Sequence, residues 1–216
     1  MTQRSIRYNS LLSDGTIEVW RIALAEVVTG RLPDGEEAAA SRIQQADAAT
    51  RWRAGRWVLR RLLGHHCRIM PQDVPLLNGR WGKPYLSAGP SFNVTTAGNE
   101  IVVVVRASGD VGVDLQVREV VPADLQEVAA KPLTSAETTE PRARWARMEA
   151  VLKCRGQGFS AVVPAELIAA LGLSHGVVQV GSHPIWWRDL KHPTGALCLA
   201  ADAPWQRIVE SSLLPD

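Results

Sequence analysis

From position 38 to 64 the chain reads AAASRIQQADAATRWRAGRWVLRRLLG, where Ile43, Trp52, Val58, Leu59, Leu62 and Leu63 form a broad apolar face among good helix formers. The pattern predicts one long helix over 38–64, with Gly64 as its stop. After the polar, turn-rich NGRWGKPYL, the stretch SFNVTTAGNEIVVVVRA is dense in β-branched residues around a central AGNE, which predicts a hairpin. The second half repeats this order. A helix over 141–155, ended by Gly156 and Gly158, precedes IWWRDLKHPTGALCLAADA, a hairpin-like stretch with its turn at HPTG. Arg56 and Glu149 are 93 positions apart and Ile101 and Leu197 are 96 apart, so helix and hairpin recur at nearly one offset. The fold class is therefore read as α+β: two similar halves, residues 1–107 and 108–216, meeting near RASGDVGVDLQ. Such an order suits pseudo-twofold symmetry with a site at the interface, where clefts form.

Composition narrows the class without choosing the chemistry. A content of 46% hydrophobic and 21% charged residues is that of a soluble globular protein, and no apolar run reaches the roughly 18 residues of a membrane span. Residues 1–10 lack the apolar core of a signal peptide, and Cys67, Cys154 and Cys198 show no disulfide or ligand spacing, so a reducing cytoplasm is the expected home. The 24 basic residues against 22 acidic ones are too balanced to argue for nucleic acid.

Candidate chemistry sits in short segments. In GDVGVDLQ the alternation of a strand puts Asp114 and Gln116 on one side, as two oxygen ligands. In WARMEAVLKCRGQGF, Trp145, Glu149 and Lys153 are spaced four apart and share one helix face. Two oxygens from a strand and one carboxylate from a helix suit Mg²⁺, a hard cation that keeps waters for a phosphate to displace. GRWGKPYL holds Arg80 and Lys83 on a rigid turn, FNVTTAGN offers the hydroxyls of Thr95 and Thr96, and RAGRWVLRR lines up Arg53, Arg56 and Arg60. Each segment alone also reads as an ordinary polar strand face, a solvated ion pair or a basic turn. His65 and His66 have no third ligand and receive no role, and Trp186 and Trp187 are read as one ring on each side of a strand.

In their order, AGRWVLRRLLG, GKPYL, FNVTTAGN, GVDLQ and WARMEAVLKCRGQGF resemble the Sfp-type 4′-phosphopantetheinyl transferases, over roughly residues 50–160. The resemblance rests most heavily on Trp145, Glu149, Ala150, Lys153, Gly156 and Gly158. It implies a cytoplasmic, monomeric, holo-[acyl-carrier-protein] synthase type of enzyme that serves polyketide or nonribosomal peptide biosynthesis. Coenzyme A would be bound between the halves with Mg²⁺ on its diphosphate, and a serine of an acyl or peptidyl carrier protein would be the acceptor. Nucleic acid and membrane are not expected partners. The resemblance also implies roles for residues. Asp114, Gln116 and Glu149 would hold the metal, and Glu149, or a water it orients, would take the serine proton. Lys83, Lys153, Thr95 and Thr96 would meet the phosphates and Arg56 the nucleotide.

Three departures stand against the family pattern. Thr96 replaces a phosphate-contacting histidine, Gln116 replaces a glutamate and Met148 replaces a lysine. They raise an alternative: a weakened or repurposed homologue that binds coenzyme A or a carrier protein without transfer, or runs another reaction in the same cleft. Because Gln and Glu have nearly one volume, Gln116→Glu is expected to leave stability almost unchanged without metal.

Overall fold

A computed structural model of the protein describes residues 12–117, 140–156 and 172–215. Gly158 lies outside them. A first strand β1 (Thr16–Ala23) leads to helices α1 (Asp34–Ser41) and α2 (Ala46–Cys67) and a small hairpin, β2 (Leu77–Asn78) with β3 (Pro84–Tyr85). Next come β4 (Ser91–Ala97), β5 (Glu100–Arg106), β6 (Val111–Gln116) and helix α3 (Pro141–Cys154). The chain then runs through β7 (His175–Val180), β8 (His183–Leu190), β9 (Ala196–Ala201) and β10 (Arg207–Ser211). One sheet has the order β10-β1-β5-β4 and the other β6-β9-β8-β7. The protein is α+β, as its periodicities predict.

Strand, helix and hairpin do recur. Val19 of β1 lies opposite Val104 of β5, and Val113 of β6 opposite Leu199 of β9, which is 94 and 95 positions further on. Strand β10, although it belongs to residues 108–216, joins the first sheet by pairing parallel to β1.

Alternation along the strands sorts their side chains into three cores. Ile101, Val103 and Val105 of β5 pack under α2 with Val58, Leu59, Leu62 and Leu63. Val102 and Val104 point the other way, into an inter-sheet core with Val111, Val113, Leu115, Leu197 and Leu199. The third core lies between α3 and the second sheet, where Trp145, Met148, Val151 and Leu152 meet Ile185, Trp187 and Cys198. Each buried Val or Leu contributes about 1.5–3 kcal/mol relative to exposure. Trp187 is in this core while Trp186 stays half-buried, one ring on each side of β8.

The single helix expected over 38–64 is two helices. The chain breaks at 42–45, and α1 folds back so that Glu36 and Glu37 accept from Arg60 Nε (2.7 Å) and Arg53 Nε (3.0 Å) on α2. With Arg56 3.9 Å from Glu36, all three aligned arginines are tied within the fold. Gly64 is not the stop either, because α2 runs on to Cys67 and ends at Arg68, a left-handed residue with φ 55°. Gly64 instead admits the returning chain: a Cβ there would lie 2.8 Å from the Ile69 carbonyl oxygen. Helix α3 does end at its glycine, with Gly156 at φ +65° and its N–H donating to the Lys153 carbonyl at 3.1 Å.

Candidate active site

Helix α3 lies directly on β6 because β6 carries Gly112. A Cβ at that position would sit 2.1 Å from the Ala150 carbonyl oxygen and 2.4 Å from the Cys154 nitrogen, so only glycine lets the two backbones approach. Two residues on, and on the same face of the strand, Asp114 meets the helix. Its carboxylate is buried, with 4% side-chain exposure, and Oδ1 accepts from Lys153 Nζ at 2.5 Å. Thr95 Oγ1 of β4 donates to the same oxygen at 3.2 Å, and Gln116 Nε2 donates to Oδ2 at 2.6 Å. Lys153 also reaches the Val113 carbonyl at 3.5 Å.

One turn back on α3, Glu149 is partly buried and its carboxylate makes no hydrogen bond among the described residues. Burial pushes its carboxyl up to about 7, the neighbouring Asp114 adds to the rise, and Lys153 opposes it. A carboxyl titrating near neutrality can take a proton and return it. Asp114, Gln116, Glu149, Lys153 and Thr95 are therefore brought together, with Thr95 from the first sheet and the others from β6 and α3.

The remaining predicted residues stand apart from Asp114. Lys83, on the turn between β2 and β3, donates to the carbonyls of Val111 (3.1 Å) and Cys154 (3.0 Å), where β6 begins and α3 ends. Burial lowers its pKa, with Asp110 pulling the other way, and it lines a cavity of about 60 Å³ with Ser91 and Phe92. Thr96 faces α2, where a Cβ on Gly55 would meet its hydroxyl at 3.2 Å. Arg56 lies over the Trp52 ring at 5.1 Å, 3.9 Å from Glu36, and burial lowers its pKa. Met148 is 3% exposed and faces the α3 core, so the departure at that position lies off the site.

Two residues were not singled out from the sequence. Gly112 seats the helix, and Asn93, 4% exposed, accepts the Val113 N–H on its side-chain oxygen at 3.0 Å. Asn93 is marked in the sequence by its place in FNVTTAGN and by its spacing of two from Thr95, which puts both on one face of β4. A larger cavity of about 350 Å³, lined by Trp186, Trp187, Trp205 and Arg188, contains none of the predicted site residues.

Among the described residues, no group of three His, Cys, Asp or Glu side chains converges. No described helix is long and apolar enough to cross a membrane.

No family model matches the chain. It is similar to 4′-phosphopantetheinyl transferase AcpT of Salmonella typhi, 30% identical over 176 residues that cover 72% of this chain and 85% of the relative. It is also similar to 4′-phosphopantetheinyl transferase HetI of Nostoc sp., 26% identical over 181 residues, 73% of this chain and 76% of the relative. The Synechocystis sp. protein slr0495 is 31% identical over 157 residues, and the match spans 64% of each chain.

Proposed function

The chain belongs to the 4′-phosphopantetheinyl transferases, and from that premise we propose that it moves 4′-phosphopantetheine from coenzyme A to a serine of an acyl or peptidyl carrier protein. One observation carries this reading. Glu149, partly buried and without a hydrogen bond among the described residues, stands beside Asp114 and Lys153 with a pKa of about 7. That is the arrangement a proton acceptor beside a charged diphosphate requires.

The residues also fit a divalent cation. The Glu149 carboxylate accepts no hydrogen bond among the described residues and lies next to a second carboxylate, and oxygen donors of this kind suit Mg²⁺. Asp114 and Glu149 would hold it, with the Gln116 amide oxygen as a third donor, and it would neutralise charge on the diphosphate.

In the proposed reaction Glu149, directly or through a water it orients, takes the proton of the serine hydroxyl. The serine oxygen forms a bond to the β-phosphorus of coenzyme A. The bond from that phosphorus to the bridging oxygen breaks, and 3′,5′-adenosine diphosphate leaves with the electron pair. Lys153 shares its ammonium between Asp114 and the phosphates, which holds the carboxylate in place and offsets charge growing on the leaving oxygen. Lys83, whose ammonium has a third N–H beyond its two carbonyl bonds, Thr96, and Arg56 at the nucleotide complete the binding set. Thr95 serves it through Asp114. The halves 1–107 and 108–216, related by pseudo-twofold symmetry, form part of the same proposal.

Incubation with an apo carrier protein, coenzyme A and Mg²⁺, followed by intact mass of the carrier, tests this. The expected result is one added phosphopantetheine on the carrier serine and none without coenzyme A. A second reading, a homologue that binds coenzyme A without transfer, is favoured by one observation: both Asp114 oxygens already accept hydrogen bonds. Unmodified carriers together with measurable coenzyme A binding would select that reading.

A further inference from the structure

Strands β4 and β6 are each the edge of a sheet, and they run side by side without a backbone ladder between them. An antiparallel strand turns the N–H and C=O of every second residue away from its partner. On β6 those outward groups meet side chains. The Val111 carbonyl accepts from Lys83 and the Val113 carbonyl from Lys153. The Val113 N–H donates to Asn93 Oδ1 at 3.0 Å. Asn93 is 4% exposed, so no bulk water waits to replace it.

We propose that Asn93 is a positioning residue of the site: its side-chain oxygen, in place of a backbone ladder, holds the Val113–Asp114 segment of β6 against β4 and so aims the Asp114 carboxylate. Two residues along the same face, Thr95 holds that carboxylate by its hydroxyl. Asn93 thus fixes the strand and Thr95 the side chain. Loss of the Asn93 oxygen leaves a buried N–H without an acceptor, which a strand can relieve only by shifting, and a shift moves Asp114 away from Lys153.

The experiment compares Asn93→Leu, which keeps the branching but removes the acceptor, with Asn93→Asp, which keeps an oxygen of the same reach. Amide hydrogen exchange by NMR should show the Val113 amide losing protection by about tenfold in Asn93→Leu while the Val103 amide of β5 is unchanged. Asn93→Asp should return Val113 to within about threefold of wild type, and decides the matter if the leucine variant does not fold. The kinetic arm rests on the transferase reading: kcat should fall about tenfold in Asn93→Leu with KM for coenzyme A within about twofold. Wild-type exchange at Val113 in the leucine variant, or a raised KM with unchanged kcat, would overturn the proposal. A wild-type protein without transfer activity would sink the transferase reading alone, since the exchange comparison still decides the role of Asn93.

Discussion

The two helix-and-sheet units build one arrangement with opposite contents. Glu18 and Trp20 flank Val19 on β1 as Gly112 and Asp114 flank Val113 on β6. In the first unit the Trp20 ring packs at the edge of the α2 core and its Nε1 donates to Glu18 at 2.9 Å, while His66 Nε2 of α2 lies 3.1 Å from the same carboxylate. The acid is used up within the fold. In the second unit the glycine removes the side chain under the helix, α3 settles onto β6, and the acid two residues along meets Lys153 while Glu149 is left without a hydrogen bond among the described residues. Both units share the order strand, helix, hairpin. Reactivity follows from how closely one helix can approach one strand.

Gly112→Ala is the largest expected break in that contrast. The added Cβ meets backbone atoms of α3, which cannot rotate aside, so the cost should be about 3–5 kcal/mol by urea unfolding. A loss below about 1 kcal/mol would mean that close approach does not distinguish the units.

Glu149→Gln should sharpen the contrast through pH. Because the folded protein holds this proton up to about pH 7 and the unfolded chain only to the ordinary glutamate value of 4.5, ionised Glu149 costs stability. The cost is absent below about pH 4 and complete above about pH 8. Without metal, the variant should therefore be more stable than wild type by roughly 2–3 kcal/mol at pH 8 and equal to it near pH 4. Equal stabilities at both pH values would place Glu149 in water.

Gln116→Glu gives the smallest effect, and here the geometry reverses the expectation from volume alone. The amide donates to Asp114 at 2.6 Å, so a glutamate would lose that bond and face a like charge. The metal-free protein should lose about 1 kcal/mol, while the Mg²⁺ concentration for half-maximal transfer should fall. An unaltered melting temperature without metal would mean that Gln116 does not hold Asp114.

Much of the site was legible because its residues lie at short, regular spacings. Glu149 and Lys153 are one helical turn apart, and Asp114 and Gln116 share a strand face. The β4–β5 and β8–β9 hairpins follow from β-branched runs with marked turns. Other features depend on partners far along the chain. Nothing in RIQQ, a run without glycine or proline, signals the break between α1 and α2, which forms where Glu36 and Glu37 find arginines 24 and 16 positions away. Strand β1, which opens the first sheet, is hidden in the sequence for a similar reason: TIEVWRIA becomes a strand by pairing with β5, some 80 residues on. Lys83 reads as a phosphate ligand on its turn, yet its two carbonyl partners come from β6 and α3. The bond from Asn93 to Val113 crosses between sheets in the same way.

The claim that chemistry belongs to the α3 unit is tested most directly by single-turnover transfer to one apo carrier protein, comparing Glu149→Ala with Arg53→Ala on α2. Arg53 pairs with Glu37 at 3.0 Å on the partly exposed side of the first unit. Transfer should fall at least about a hundredfold in Glu149→Ala and stay within about twofold of wild type in Arg53→Ala. Near-normal turnover by Glu149→Ala would contradict the account.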